Sequence, residues 1–362
     1  MTVIISVLVI LLMLGVLITA HEAGHFLAAR ACRIKVREFA IGMGPAVYKR
    51  QKGENSTRFT LRALPIGGFC DMSEDEESDD SGHFRNKPLY QRVFVLLAGS
   101  LMNIALGFVL ALVFFSAYIG MYVRLPVIST LLPGFPYGDQ IQAGDRIVAI
   151  DGNAVRSYSE LRFFLDRAGG APLDFTLSRD GKRHKALGIE RRVDDPAGSE
   201  RKLYGFTFDD YEKVGFWQYL RISWENVGFY LRLVRISLGD IISGRESAGD
   251  VMGPVGLGSV VNDTLQPQDP QGNAVPLSER VMSLVNLAAL ITVNLAFINL
   301  LPIPALDGGR VLLALISAVL YKIRRRPLSA KVEGALHGGM FVLLLALMAV
   351  VFFNDIARIF RA

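Results

Sequence analysis

The sequence predicts a multi-pass α-helical membrane protein with a β-hairpin at one membrane face and one inserted, β-rich domain on the other side. Three observations predict it. Hydrophobic residues make up 51% of 362, and the mean hydropathy is +0.35, too apolar for an ordinary soluble domain. Four stretches approach the ~20 apolar residues that a bilayer crossing needs: Val3 to about Ala29, Val93 to about Tyr122, Val281 to Leu301, and Met340 to Phe353 with its upstream flank. Between the second and third, the pattern changes to short alternating strands and one helix, from about Val127 to Asp210.

Residues 1–30 form the first span. No Lys or Arg precedes its apolar core, which exceeds the length of a signal peptide, so a retained helix is expected. Residues 31–90 follow with "VREFAIGMGPAVYKR" and "STRFTLRALPIGGF", two alternating runs separated by the turn-forming "QKGEN", which predict a β-hairpin. The acidic run "DMSEDEESDDSG" after it is expected to be a solvated loop, and His83 beyond it, like His184 later, has no expected role. Residues 91–123 hold the second span.

Residues 124–210 form the inserted domain. In "IQAGDRIVAIDGNAVRSYSELRFFLDRA", a turn, a strand and an Asp-Gly turn precede an amphipathic helix capped by Ser157 or Ser159. That order resembles a PDZ domain, a fold that binds extended peptides by adding a strand to a sheet edge. Residues 211–276 contain Trp217, Leu220, Trp224, Val227, Leu231, Val234, Leu238 and Ile241 at helical spacing, which predict an amphipathic interfacial helix. The stretch "GDVMGPVGLG" then reads as a turn-rich re-entry. Residues 277–322 hold the third span and "LDG", and residues 323–362 a basic loop and the fourth span.

Charge orients the chain. Nine Lys and Arg from Arg30 to Arg62 separate the first two spans, and Lys322, Arg324, Arg325, Arg326 and Lys331 separate the last two, so both loops are expected in the cytoplasm. Four crossings of the inner (cytoplasmic) membrane then leave both termini and the inserted domain extracytoplasmic. The net charge of +5 carries no basic and aromatic pattern of nucleic-acid binding. Two cysteines, Cys32 and Cys70, on one side of the membrane give no disulfide framework.

Within the first span, "ITAHEAGHFLAAR" places His21, Glu22 and His25 where ionisable groups are costly and normally face a partner or a cavity. His-Glu-x-x-His projects two imidazoles from one helix face toward a single metal, with the glutamate as a general base beside it. A catalytic zinc usually takes three protein ligands. Asp307 in "NLLPIPALDGGRVLLAL" is the candidate third: Pro302 and Pro304 end the third span, and apolar runs on both sides make a lone carboxylate costly. Helix rise puts His21 roughly 27 Å beyond Val3, near the cytoplasmic boundary, the level at which the third span delivers Asp307.

With HEAGH, NLLPIPALDGG and the PDZ-like insert, the chain resembles the site-2 protease family of intramembrane zinc metalloproteases, most closely its bacterial RseP-type members. "GMGP" and "LPIGGF" match the family's membrane-associated hairpin, "LAGSLMN" its second-span motif and "GPVGLG" the stretch before the third span. The resemblance implies zinc on His21, His25 and Asp307, Glu22 as catalytic base, and Asn294 and Asn299 as substrate-holding residues. It further implies regulated cleavage of single-span membrane proteins, such as an anti-sigma factor or a remnant signal peptide. Ser100 stands where the family's second-span motif has proline, and there is room for one PDZ-like domain where some relatives have two. Two other classes fit parts of the pattern: a non-catalytic PDZ-bearing adaptor and a metal transporter. Neither accounts for a glutamate between the two imidazoles.

Overall fold

The computed structural model describes residues 2–53, 56–73, 80–119, 122–194, 202–208, 211–244, 254–266, 268, 274–324 and 330–361. Residues 74–79 of the acidic run, Arg325 and Arg326 of the basic loop, and residues 249–253 of the expected re-entry lie outside them. The chain divides into two compact units, Met1–Leu110 with Tyr230–Ala362, and Ala111–Phe229.

The first unit is built on long apolar helices. Helix α1 spans Thr2–Ala31, β1 Glu38–Arg50, β2 Arg58–Asp71 and α2 Leu89–Ile119. Among the described residues four helices are long and apolar enough to cross a membrane, with spans Ile4–Ala31, Leu89–Phe114, Leu277–Asn299 and Gly334–Val351, matching the four expected from sequence. Helices α1 and α2 meet at Gly24, where a methyl group would stand 2.4 Å from the Ala98 carbonyl oxygen. Small residues permit such backbone contact, which substitutes for the hydrophobic drive that lipid does not supply. Ala28, Ala29, Val95, Leu96 and Ala98 bury this seam together with Ile34, Val36, Met72 and Phe84. Helix α2 runs without interruption through Ser100.

The expected β-hairpin is more elaborate than two strands. Residues Glu38–Ile41 pair in parallel with Arg58–Leu61 on one side and antiparallel with Gly68–Asp71 on the other, while Tyr48–Arg50 pair antiparallel with Phe59–Leu61. Each long strand therefore doubles back on itself, and Glu38–Ile41 lies inside the sheet with Gly68–Asp71 outermost. Gly42 and Gly67, at φ of 84° and 79°, supply the left-handed backbone that these reversals need. Period-two alternation specifies faces and not partners, so the sequence pattern did not show the doubling. The sheet runs along α1, and its Pro65 reversal reaches Gly15, where a methyl group would lie 3.0 Å from the Pro65 carbonyl oxygen. Gly15 is about 9 Å before His21 along the helix. Backbone thus enters the span's depth, with Ile41, Met43, Val47 and Leu64 exposed in the manner of lipid-facing residues. At the other end Glu38 fastens the layers, accepting from Thr60 Oγ1 at 2.8 Å and Arg62 Nη2 at 2.6 Å.

The second unit contains β3 (Tyr122–Arg124), β4 (Thr130–Leu131), β5 (Arg146–Ile150), β6 (Asn153–Ala154), α3 (Tyr158–Arg167), β7 (Leu173–Arg179), β8 (Lys182–Ile189), β9 (Val193–Asp194), β10 (Lys202–Leu203), β11 (Phe206–Thr207) and β12 (Tyr211–Lys213). The main sheet has the order β6-β5-β7-β8, all antiparallel. Asp151 and Gly152, both at positive φ, close β5 onto β6 as the Asp-Gly signal predicts. Ser157 is the cap of α3, accepting from Glu160 N at 3.2 Å. Asp145 is fully buried and held by Arg179 through two 2.7 Å bonds.

Helix α4 (Phe216–Ile242) corrects the expected amphipathic face. Trp217 and Trp224 are 79% and 58% exposed, and the buried stripe runs through Tyr219, Ile222, Asn226, Val227, Tyr230 and Val234. Tyr230 donates to Asn286 Oδ1 at 2.5 Å. A polar tip lets a buried residue look amphipathic, so counting only apolar letters misplaced the stripe. The described part of the re-entry also differs: α5 (Pro254–Leu265) begins at the proline, whose missing N–H costs nothing in a first turn. Then follow α6 (Leu277–Asn299), α7 (Asp307–Arg324) and α8 (Ala330–Arg361).

Candidate metal centre

His21 and His25 lie one turn apart on α1, so their imidazoles leave the same face. Both are buried. Their Nε2 atoms are 3.1 Å apart, and Asp307 Oδ2 lies 3.0 Å from the first and 3.2 Å from the second. Among the described residues this is the one cluster of three or more His, Cys, Asp or Glu side chains with donor atoms so gathered. Two prolines, Pro302 and Pro304, end α6 and turn the chain, and Asp307 opens α7, where the positive end of the helix favours a carboxylate. Asp307 is 282 or more residues from the two histidines in sequence, and all three belong to the first unit.

The donor set fits zinc. Bonds of about 2.05 Å at tetrahedral angles separate ligand atoms by about 3.3 Å, close to the three spacings seen here. Two imidazole Nε2 atoms at such a distance repel through their lone pairs unless a proton or a cation lies between them. His25 Nδ1 donates to the Val95 carbonyl at 2.8 Å, which leaves Nε2 as the donor atom and fixes the ring. On His21 the same position is filled by Asn103 of α2, whose amide lies 3.2 Å from Nδ1. Asn103 is fully buried and its other amide atom, Oδ1, has no partner among the described residues. Exchanging the amide's O and N places a carbonyl oxygen against His21 Nδ1–H, the tautomer that presents Nε2 to a metal. Gly99 packs against both rings: a methyl group there would stand 2.4 Å from His25 Nε2 and 2.8 Å from His21 Nε2.

Glu22 sits beside the triad and borders a cavity of about 230 Å³ shared with His21, His25, Phe69, Cys70 and Asn299. Its carboxylate accepts from the Cys70 backbone N–H, so the outermost segment of the doubled sheet holds it. Asn299 Nδ2 lies 3.3 Å from His21 Nε2. Asn294, the other candidate substrate residue, is not among the residues that line this cavity, and its Oδ1 is buried without a partner among the described residues. Asn103 and Gly99 were legible only as parts of a motif. Cys32 and Cys70 are not joined by a disulfide. His83 caps a short 3-10 turn, and in the second unit His184 stands 3.7 Å from Asp145.

Comparison with known sequences places the chain. A model of peptidase family M50 matches residues 9–347. The chain belongs to peptidase family M50. The peptidase is 32% identical over 355 residues to a provisionally named zinc metalloprotease of Clostridium perfringens, covering 96% of this chain and 97% of the relative. Against the zinc metalloprotease RasP of Geobacillus kaustophilus it is 27% identical over 436 residues, 98% of each chain. Metalloprotease MmpA of Caulobacter vibrioides matches at 27% over 388 residues, 96% of this chain and 94% of the relative. With four apolar spans among the described residues and the two histidines of the donor triad inside the first of them, the peptidase is an intramembrane zinc metalloprotease.

Proposed function

We propose that the peptidase cuts single-span membrane proteins within or beside their transmembrane segment, with zinc on His21, His25 and Asp307 and with Glu22 as the general base. When bound, zinc supplies a Lewis acid that polarises a carbonyl and acidifies water. Glu22, steered by the Cys70 N–H, removes a proton from the attacking water and returns one to the leaving amine. Val95 and Asn103 keep the two imidazoles turned toward their shared point.

A substrate helix hides its peptide groups in its own ladder, so it must be extended before cleavage. Gly68–Asp71, the outermost segment beside the cavity, is the edge on which an extended substrate adds as a strand. That edge lies at and just beyond the end of the second alternating run, "STRFTLRALPIGGF". Asn299 holds a freed backbone group at the reacting bond, and Asn294 one further along the substrate. The PDZ-like insert, residues 124–210, selects substrates by binding an extended peptide or excluding bulky intact proteins. Positive charge around the first loop supports an active site toward the cytoplasm of the inner membrane, with both termini outside.

The observation that carries this proposal is the spacing of the three donors beside Glu22. Glu22→Gln tests it: zinc content stays at the parent level while cleavage of a helical substrate in detergent is lost. Undiminished turnover removes Glu22 from the mechanism.

A further inference from the structure

A cavity of about 890 Å³ lies away from the metal centre, between the end of α1 and the turn end of the doubled sheet. Arg30, Lys35, Arg50 and Lys52 line it, and among the described residues no Asp or Glu does. Lys35 shares its charge with Asp80, to which it is ion-paired. Arg30, Arg50 and Lys52 have no carboxylate partner among the described residues. The three unpaired like charges around one cavity repel one another, so such a site awaits an anion.

Its place in the fold defines the anion. Arg30 is in the last turn of the Ile4–Ala31 span and Phe26 one turn deeper, so the cavity mouth is at the membrane surface whichever way the protein faces. Phe26 and Phe59 form part of its wall, their rings 5.6 Å apart. From the mouth the sheet descends along α1, and its exposed Val47, Leu61 and Leu64 continue the apolar surface toward the Pro65 reversal. A free phosphate matches the cations and has nothing for the apolar descent. An anionic phospholipid matches both, and basic pockets at membrane ends of helices are a known seat for such headgroups.

We infer that this cavity binds one anionic phospholipid, its phosphate among Arg30, Arg50 and Lys52 and its acyl chains along the exposed face of the doubled sheet. The lipid closes the gap between the sheet's turn end and α1. It thereby steadies the sheet whose opposite edge, at Cys70, holds Glu22.

The test uses the full-length zinc-loaded chain in zwitterionic detergent, supplied with phosphatidylglycerol or phosphatidylcholine, with retained lipid read by native mass spectrometry. Phosphatidylglycerol is expected to be retained and phosphatidylcholine not. Neutralising two cations near an anionic headgroup, in R50Q/K52Q, is expected to weaken retention about thirtyfold, and K52Q alone about fivefold. R183Q/K185Q, on exposed positions of β8, leaves it unchanged. Zinc content at the parent level shows that each variant is folded. Equal retention by K52Q and the parent, or equal retention of both lipids, overturns the inference. Release of the lipid by millimolar inorganic phosphate makes this a free-anion site and overturns it equally. Because retention is measured and not turnover, the result is independent of the protease mechanism.

Discussion

Replacing Gly99 with alanine is expected to disarm the metal centre without altering any donor. The added methyl group falls 2.4 Å from His25 Nε2, 2.7 Å from His21 Cε1 and 2.8 Å from His21 Nε2. Ordinary contact begins near 3.4 Å, so His25 must move by about 1 Å. Separating the helices to absorb it would forfeit the close backbone packing of Gly24 on Ala98. His25 cannot rotate freely either, since Val95 holds its Nδ1. A displacement of about 1 Å in a reacting constellation costs about a hundredfold. Two readouts are needed. Zinc retained after dialysis against a buffered chelator is expected to fall by one to two orders of magnitude, and cleavage of a helical substrate to fall with it. Gly258→Ala is the control, because its methyl group meets only Ile10 Cδ1 at 3.9 Å. If Gly99→Ala folds, holds zinc as tightly as the parent and cuts as fast, the packing of α2 against the two imidazoles has no part in the site.

Asn103→Ala removes the partner of His21 Nδ1 and is expected to weaken zinc binding 10- to 100-fold by chelator competition, with Asn103→Asp restoring part of it because a carboxylate oxygen also accepts from Nδ1–H. In the second unit, burial raises the Asp145 carboxyl's pKa, but the Arg179 hydrogen bonds and the Gln142 N–H outweigh it, so the group stays below its ordinary value of 3.8. A depressed pKa stabilises the fold above the unfolded value and is lost as pH falls through the folded one. Amide exchange in Leu173–Ile189 is therefore expected to accelerate as pH drops below about 4, after correction for intrinsic rates, with Asp145→Asn flattening that pH dependence. At neutral pH Asp145→Ala leaves Arg179 and the Gln142 N–H without their buried acceptor and is expected to lower the midpoint of denaturant unfolding. Removing residues 127–210 is expected to change which substrates are cut, and unchanged selectivity in a mixed-substrate assay counts against a filter.

Much of the site was legible in the chain. The i, i+4 imidazoles share a face in any α-helix, and a carboxylate between apolar runs needs a cation, so His21, His25, Glu22 and Asp307 followed from local pattern and the cost of burying charge. The spans and the Ser157 cap followed the same way, since length and short-range spacing encode them. Three features were not legible. The doubling of β1 and β2 depends on partners, to which an alternating pattern is indifferent. The buried stripe of α4 runs through tyrosines and Asn226, whose burial is set by what they meet. Asn294 shares a helix with Asn299, yet only Asn299 borders the metal-centre cavity.

By itself the sequence determined the donor types, their common face on α1 and the membrane depth that makes them costly without a metal. Tertiary structure alone decided that Asp307 closes to within 3.2 Å of both imidazoles, that Asn103 and Val95 orient the rings, and that Cys70 holds Glu22. The difference is one of range. Helical periodicity acts over a few residues and is written in the order of side chains, whereas the meeting of α1, α2, β2 and α7 depends on how closely their backbones pack, which glycines such as Gly24 and Gly99 permit and no local pattern records.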